Sequence, residues 1–214
     1  AIVGVGGIGC PLSLYLISSG LKKITLIDGD LIEKSNLNRQ ILFDINDIGK
    51  KKVNVAKKKL QSINPNIEIN VVDSHINNKN INCLSNQSIV VDATDDWNTS
   101  KLLNKFCLRN SIDFLFSSVI KYDLQIIMFE HKNTKDHLCL NCLFPNKTDI
   151  ELPRCETVGV SGITAGLAGI LSAQKIINFS LNLRNETNIL TISDGKKLSI
   201  ENIVIKSKHK CDLK

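Results

Sequence analysis

Aromatic side chains are scarce in this 214-residue chain: Phe, Trp and Tyr together make up 5% of it, with a single Trp and two Tyr. A surface for single-stranded nucleic acid stacks bases on aromatic rings, so that class of function is not indicated. Long apolar runs are missing as well. The longest low-charge stretch, residues 157–173, is rich in Gly, Ser and Thr and gives way to Gln174 and Lys175. It is too short and too small-sided to span a bilayer and reads as a buried helix. No signal-peptide pattern is visible, and Ala1 falls inside a strand-like run, so an upstream segment is either absent or lies beyond this sequence; a cytoplasmic location is the expectation. Regular cysteine spacing is lacking too. The seven cysteines are irregularly placed, which favours metal or catalytic use over a disulfide framework. What is present, 43% hydrophobic residues, suffices for one compact core.

The organising stretch is residues 1–30. Ala1-Ile2-Val3-Gly4-Val5 reads as a buried parallel strand, and Gly4-Val5-Gly6-Gly7-Ile8-Gly9 has the G-x-G-x-x-G spacing. A helix is expected over 11–20 with Leu12, Tyr15, Leu16 and Ser19 on one side. A second strand, Ile24-Thr25-Leu26-Ile27, runs into Asp28-Gly29-Asp30. Glycines let the backbone approach a phosphate, and a helix N-terminus offers unpaired N–H groups to an anion. A carboxylate some 20 residues on suits ribose hydroxyls, and Asp28 is the residue expected to hold them. The stretch therefore predicts a nucleotide site, with Gly7, Gly9, Asp28 and Asp30 as its residues.

The fingerprint alone fits a dinucleotide cofactor and hydride transfer. The residues that follow argue for other chemistry. Ser35-Asn36-Leu37-Asn38-Arg39-Gln40 makes a polar loop beside the end of the second strand, and Lys50-Lys51-Lys52 opens the next helix. Hydride transfer needs no such cation cluster, whereas charge building on phosphate oxygens does. A triphosphate, ATP, is the better expectation. The net charge of +6, spread along the chain, suits ATP and an acidic partner and is equally ordinary background.

Residues 50–63 read as an amphipathic helix with Val53, Ala56, Leu60 and Ile63 inward and Lys57, Lys58 and Lys59 in solvent. A strand over 67–72 follows the Asn64-Pro65-Asn66 turn; His75 after it reads as a surface or packing histidine. A short helix holds Ile81, Cys83 and Leu84, with Cys83 in the core. Ser88-Ile89-Val90-Val91-Asp92-Ala93-Thr94-Asp95-Asp96 is a buried parallel strand ending in carboxylates, where open α/β sheets bind ligands. Asp95 suits magnesium, with Asp96 beside it; the competing reading is a helix N-cap, and both hold if each residue takes one task. A helix over 100–110 turns Leu102, Leu103, Phe106 and Cys107 inward, and strands over 113–118 and 124–130 follow. Cys139-Leu140-Asn141-Cys142 has the spacing of a zinc knuckle, with a redox pair or a remnant as alternatives. Cys155 sits in a polar loop next to Arg154, which favours a thiolate. A small-residue helix over 161–179 and a hairpin over 188–193 and 198–206 complete the chain.

These motifs, in this order, resemble the ThiF/MoeB/HesA family of sulfur-carrier adenylyltransferases related to ubiquitin-activating enzymes. The resemblance rests on Gly4-x-Gly6-Gly7-x-Gly9, Asp28-x-Asp30, Ser35-Asn36-Leu37-x-Arg39-Gln40, Lys52, Asp92-x-Thr94-Asp95-Asp96, Cys139-x-x-Cys142 and Arg154-Cys155-x-Thr157-x-Gly159-Val160. Asn141-Cys142-Leu143-Phe144-Pro145 and Asp194-Gly195-Lys196 lean towards the thiamine branch; the molybdopterin branch is close. The implied fold is a Rossmann-like doubly wound, mainly parallel α/β sheet with antiparallel C-terminal strands and a cysteine zinc knuckle. It would form a single domain over 1–214, with a nucleotide-binding core at 1–137 and the knuckle, dimer helix and terminal hairpin at 138–214.

The resemblance implies ATP-dependent adenylylation of the C-terminal glycine of a ThiS-like sulfur carrier, with a MoaD-like carrier as the alternative. ATP, Mg²⁺ and Zn²⁺ are the implied cofactors. Arg39, Lys52, Asp95 and Cys155 would be catalytic. Ser35, Asn36, Asn38 and Gln40 would join the nucleotide site, and Lys52 would contact phosphate. Cys139, Cys142 and Cys211 would hold zinc; the family's fourth cysteine has no counterpart, Lys214 stands in its place, and His209 or a later segment would substitute. Cys155 falls where thiamine-branch relatives carry a sulfur-transfer cysteine, although a bystander role stays open. A carrier protein, a sulfur donor such as a cysteine desulfurase, and a second copy of the chain are the implied partners; nucleic acid and membrane are not. Two rivals remain: a nicotinamide-dependent oxidoreductase, and a lapsed binding module lacking a knuckle ligand and the upstream arginine that in relatives completes the neighbouring ATP site.

Overall fold

A computed structural model describes residues 1–132, 138–145, 159–183, 187–206 and 211. One eight-stranded sheet organises them, in the order β3-β2-β1-β4-β5-β6-β7-β8. The strands are β1 (Ile2–Val3), β2 (Lys23–Ile27), β3 (Glu68–Val72), β4 (Ile89–Asp92), β5 (Asp113–Ile120), β6 (Asp123–Phe129), β7 (Ile189–Asp194) and β8 (Ser199–Val204). The first five are parallel, and β5 through β8 pair antiparallel. This is the expected Rossmann-like mixed sheet. Its chain order reverses beside β1, where β2 and β4 flank the first strand and their carboxyl ends open a crevice.

Period-two alternation explains how the sheet buries both faces. Leu115, Ile126 and Met128 pack with Leu12, Leu16, Val53, Leu60, Ala165 and Ala168 on one side. Their neighbours Phe114, Phe116, Ile127 and Phe129 pack with Leu84, Leu103 and Leu140 on the other. The first face is covered by helices α1 (Gly9–Ser18), α2 (Lys52–Ile63) and α5 (Gly162–Ser180). The second is covered by α3 (Trp97–Arg109) and the one-turn α4 (Leu140–Leu143).

Helix α1 begins two residues before the expected start, and its buried stripe is Leu12, Ser13, Leu16 and Ile17. Tyr15, expected inward, is half-exposed because the buried stripe runs through Leu12, Ser13, Leu16 and Ile17, and Ser19 is exposed because it caps the helix beyond its last residue. Cys83, expected in the core, lies exposed on a 3-10 turn, whereas Cys107 is fully buried on α3 as expected. Ile63, expected inward, is exposed at the last residue of α2. Lys59 is more than a solvated lysine: its Nζ reaches Asp44 Oδ2 at 2.6 Å and Asp47 Oδ2 at 2.5 Å, pinning α2 to the preceding loop. No helix among the described residues is long and apolar enough to cross a membrane.

Candidate active site

The glycine turn is built by backbone needs. Gly4 has φ +94°, and a Cβ there would stand 2.7 Å from the Ala93 carbonyl oxygen. A Cβ at Gly9 would collide with the Gly4 carbonyl, so the turn closes only with glycine at both ends. The turn is then locked by Asp28, whose Oδ2 accepts from Val5 N at 2.8 Å and whose Oδ1 accepts from Asp30 N at 2.9 Å.

Above the turn, across the carboxyl ends of β1, β2 and β4, lies a cavity of about 580 Å³. Gly7, Asp28, Asp30, Asn36, Arg39, Gln40, Lys52, Asp95 and Asp96 line it. Gly9, Ser35 and Asn38 do not line it. Two of them support it: Arg39 Nη1 donates to the Ser35 carbonyl and to Asn38 Oδ1, both at 3.0 Å. Lys52 is buried, and its Nζ meets Asp30 Oδ2 at 2.7 Å. His75 Nε2 lies 3.3 Å from the other oxygen of Asp30. Lys51, outside α2, bonds the Gly29 carbonyl at 3.1 Å and Asp73 at 3.0 Å, bracing the loop that carries Asp30.

The two acids after β4 divide their tasks. Asp96 caps α3, its Oδ2 accepting from Thr99 N at 2.9 Å and from Thr99 Oγ1 at 2.7 Å. Asp95 is exposed on the cavity wall. Behind both, Asp92 is fully buried and accepts from Thr94 N at 3.0 Å and Thr94 Oγ1 at 2.7 Å through Oδ1. Burial pushes its carboxyl up to about 6, against the opposing hydrogen bonds of Ser100 and Thr94.

Several lining residues carried no motif. His75 follows β3 at the sheet's carboxyl edge, and only the rule that ligands bind at that edge points to it. Trp97, Phe116 and Phe144 form an aromatic wall of the cavity, with edge-on ring centroids 5.8 to 6.4 Å apart. From sequence Phe144 figures only in the 141–145 stretch and Phe116 only within a strand, and no local pattern brings the three rings together.

Cys139, Cys142 and Cys211 converge although 72 residues separate the first from the last. Sγ of Cys139 lies 3.7 Å from that of Cys142 and 3.4 Å from that of Cys211, and all three fall within 4.8 Å of one another. Tetrahedral zinc with Zn–S bonds of about 2.3 Å separates its sulfurs by roughly 3.8 Å, so the trio fits three corners of such a site. Burial raises the Cys139 and Cys142 thiols, which a cation would reverse. Arg154, Cys155, Thr157, His209 and Lys214 lie outside the described residues.

A sequence model of the ThiF family matches residues 1–213. The adenylyltransferase and sulfurtransferase MOCS3 of Culex quinquefasciatus is 34% identical over 210 residues, covering 97% of this chain and 47% of that protein. The sulfur carrier protein ThiS adenylyltransferase of Escherichia coli K12 is 28% identical over 211 residues, covering 98% of this chain and 83% of that protein. A crystal structure of Escherichia coli MccB with ATP superposes with a TM-score of 0.84 at 24% identity, over 99% of this chain and 64% of that one. The chain thus spans about half of the MOCS3 relative and most of the ThiS-related one.

Proposed function

The chain belongs to the ThiF family, and on that footing we propose that it activates the C-terminal carboxylate of a small carrier protein by adenylylation with ATP. One observation carries the reading: Lys52 and Arg39 converge on the same cavity as the glycine turn and the carboxylates that end β2 and β4. An oxidoreductase would leave that cation pair without a task.

The nucleotide lies with its phosphates against the glycine turn and the α1 N-terminus. Asp28, both oxygens taken by backbone N–H groups, fixes the turn. Asp28 also holds the ribose from the cavity wall, with the more exposed Asp30 beside it. Arg39, held by Ser35 and Asn38, and Lys52 neutralise the triphosphate, with Asn36 and Gln40 beside them. The carrier's carboxylate attacks the α-phosphorus; a carboxylate–phosphorus bond forms, the bond to the bridging oxygen breaks, and pyrophosphate leaves. No protein base is required because the attacking group is already ionised near neutral pH. Positioning and charge neutralisation supply most of the rate. Asp95 would hold magnesium, which supplies further neutralisation at the phosphates. Cys139, Cys142 and Cys211 would hold zinc in a structural role. Cys155 acts after adenylation, in sulfur transfer from a donor such as a cysteine desulfurase.

The carrier is ThiS-like in this reading, for the thiamine pathway, with a MoaD-like carrier as the alternative. Relatives named for ThiS adenylylation and for molybdopterin-synthase adenylylation leave both open. The exposed face of α5, with Ile163 and Ile170, suits a homodimer contact. ATP–pyrophosphate exchange, measured with ThiS-like and MoaD-like carriers in turn, tests the proposal. Exchange dependent on one carrier supports it. ATP binding without exchange to either would make the chain a binding module, and NADH binding in place of ATP would make it an oxidoreductase.

A further inference from the structure

We infer that the cysteine knuckle positions the aromatic wall of the nucleotide cavity through Phe144 and Trp97, so that metal loading and nucleotide binding are coupled. The inference rests on the cavity being a nucleotide site.

The contacts are continuous. Phe144 follows Cys142 by two residues, and its backbone N donates to the Leu140 carbonyl at 2.9 Å, closing the turn that carries the thiols. The Phe144 ring stands 5.8 Å from that of Trp97 at an interplanar angle of 82°, and 6.4 Å from that of Phe116. Trp97 is the first residue of α3, next to the Asp96 cap and two residues from Asp95. All three rings line the cavity. A second strut runs from the knuckle to the middle of the same helix: Leu140 N donates to Oδ1 of the buried Asn104 at 2.9 Å. The knuckle therefore grips α3 at two points, and α3 carries the acidic end of the cavity.

The α4 turn is only four residues long, too short to hold its shape alone. Two of the thiols, Cys139 and Cys142, sit on this turn and the third, Cys211, comes 72 residues after Cys139, so a shared cation would join the turn to a distant segment. With the cation, Phe144 is fixed against Trp97; without it, Phe144 loses its anchor and the wall loosens. Coupling of this kind is reciprocal, so bound nucleotide should tighten the hold on metal.

Trp97 is the only tryptophan in the chain and reports directly on the wall. The full-length protein would be prepared loaded with zinc and stripped with a chelator. Trp97 emission and ATP affinity are then measured on both, and on Phe144→Ala and Phe144→Leu. Stripping should shift Trp97 emission to the red and weaken ATP about tenfold, within the usual range for coupled sites. Phe144→Ala should bind zinc at unchanged stoichiometry, show the weaker ATP affinity already when loaded, and show no further loss on stripping. Phe144→Leu, which keeps an apolar contact, should fall between. Equal ATP affinity with and without zinc overturns the inference, as does failure to take up zinc. So does a Phe144→Ala loss that simply adds to that of stripping. If the loaded protein binds no ATP, the nucleotide reading and this inference fall together. That case is recognised because the Trp97 response to zinc is measured without nucleotide.

Discussion

Lys52 and Asp30 form an unequal pair: Nζ and Oδ2 are 2.7 Å apart, yet the lysine side chain is 6% exposed and the aspartate 48%. Breaking it should cost more from one side than from the other. Asp30→Asn strands a buried ammonium, and a loss of roughly 1–3 kcal/mol is expected, below the full cost for a completely buried pair. Lys52→Met leaves a carboxylate that solvent reaches and His75 still approaches, so its unfolding midpoint in urea should stay near that of the wild type. The same Lys52→Met change should lower pyrophosphate exchange by about 100-fold or more, as loss of a charge-stabilising group does. A variant with normal exchange would remove Lys52 from the phosphate site.

Asp95 and Asp96 are adjacent but should fail differently. Asp96→Ala deletes the α3 cap and should cost about 1 kcal/mol in denaturant unfolding. Asp95→Asn touches no cap, so stability should hold while exchange falls and the magnesium concentration for half-maximal exchange rises. Equal stability losses for the two would show that the tasks are not divided.

Much of this site was legible because its determinants are local. The glycine spacing, the Asp28-x-Asp30 pair and the β4 carboxylates each sit at the end of an apolar run, and strand ends are what apolar runs reveal. Lys59 illustrates the limit: it reads as a solvated lysine, and its partners Asp44 and Asp47 lie on another segment, as Asp73 does for Lys51. The aromatic wall was illegible for the same reason, since Trp97, Phe116 and Phe144 meet only after β5, α3 and the knuckle assemble. Tyr15 and Cys83 show a separate failing. Apolar character predicted burial, but a helical offset of one residue and a solvent-facing 3-10 turn decided exposure.

The glycines of α5 distinguish a packing surface within the chain from one that faces outward. A Cβ at Gly169 would stand 2.5 Å from the Ile8 carbonyl oxygen and 2.6 Å from Pro11 Cγ, while one at Gly166 would meet nothing within 4 Å. Gly169→Ala should therefore destabilise by about 1–3 kcal/mol through overpacking against α1. Gly166→Ala should raise the stability of the isolated chain by up to about 1 kcal/mol from helix propensity. Gly166 lies on the side of Ile163 and Ile170, so the same change should weaken a homodimer formed there. Sedimentation across a concentration series measures this; an unchanged dimer would place the interface elsewhere.

Asp92 supplies a pH dependence whose sign follows from its burial. Its carboxyl, near 3.8 in the unfolded chain, is pushed up to about 6 in the fold, so the native state binds the proton more tightly. Between these values stability should fall as pH rises, and above about pH 6 it should level off with the full penalty present. At about 1.4 kcal/mol per unit the penalty is of the order of 3 kcal/mol. Asp92→Asn keeps an oxygen able to accept from Thr94 N and Thr94 Oγ1 and carries no charge to bury. It should flatten the dependence between pH 4 and 6 and leave the protein more stable than the wild type at pH 7. Urea unfolding of both proteins at pH 4, 5, 6 and 7 measures the difference; parallel curves would mean that Asp92 is not the titrating group.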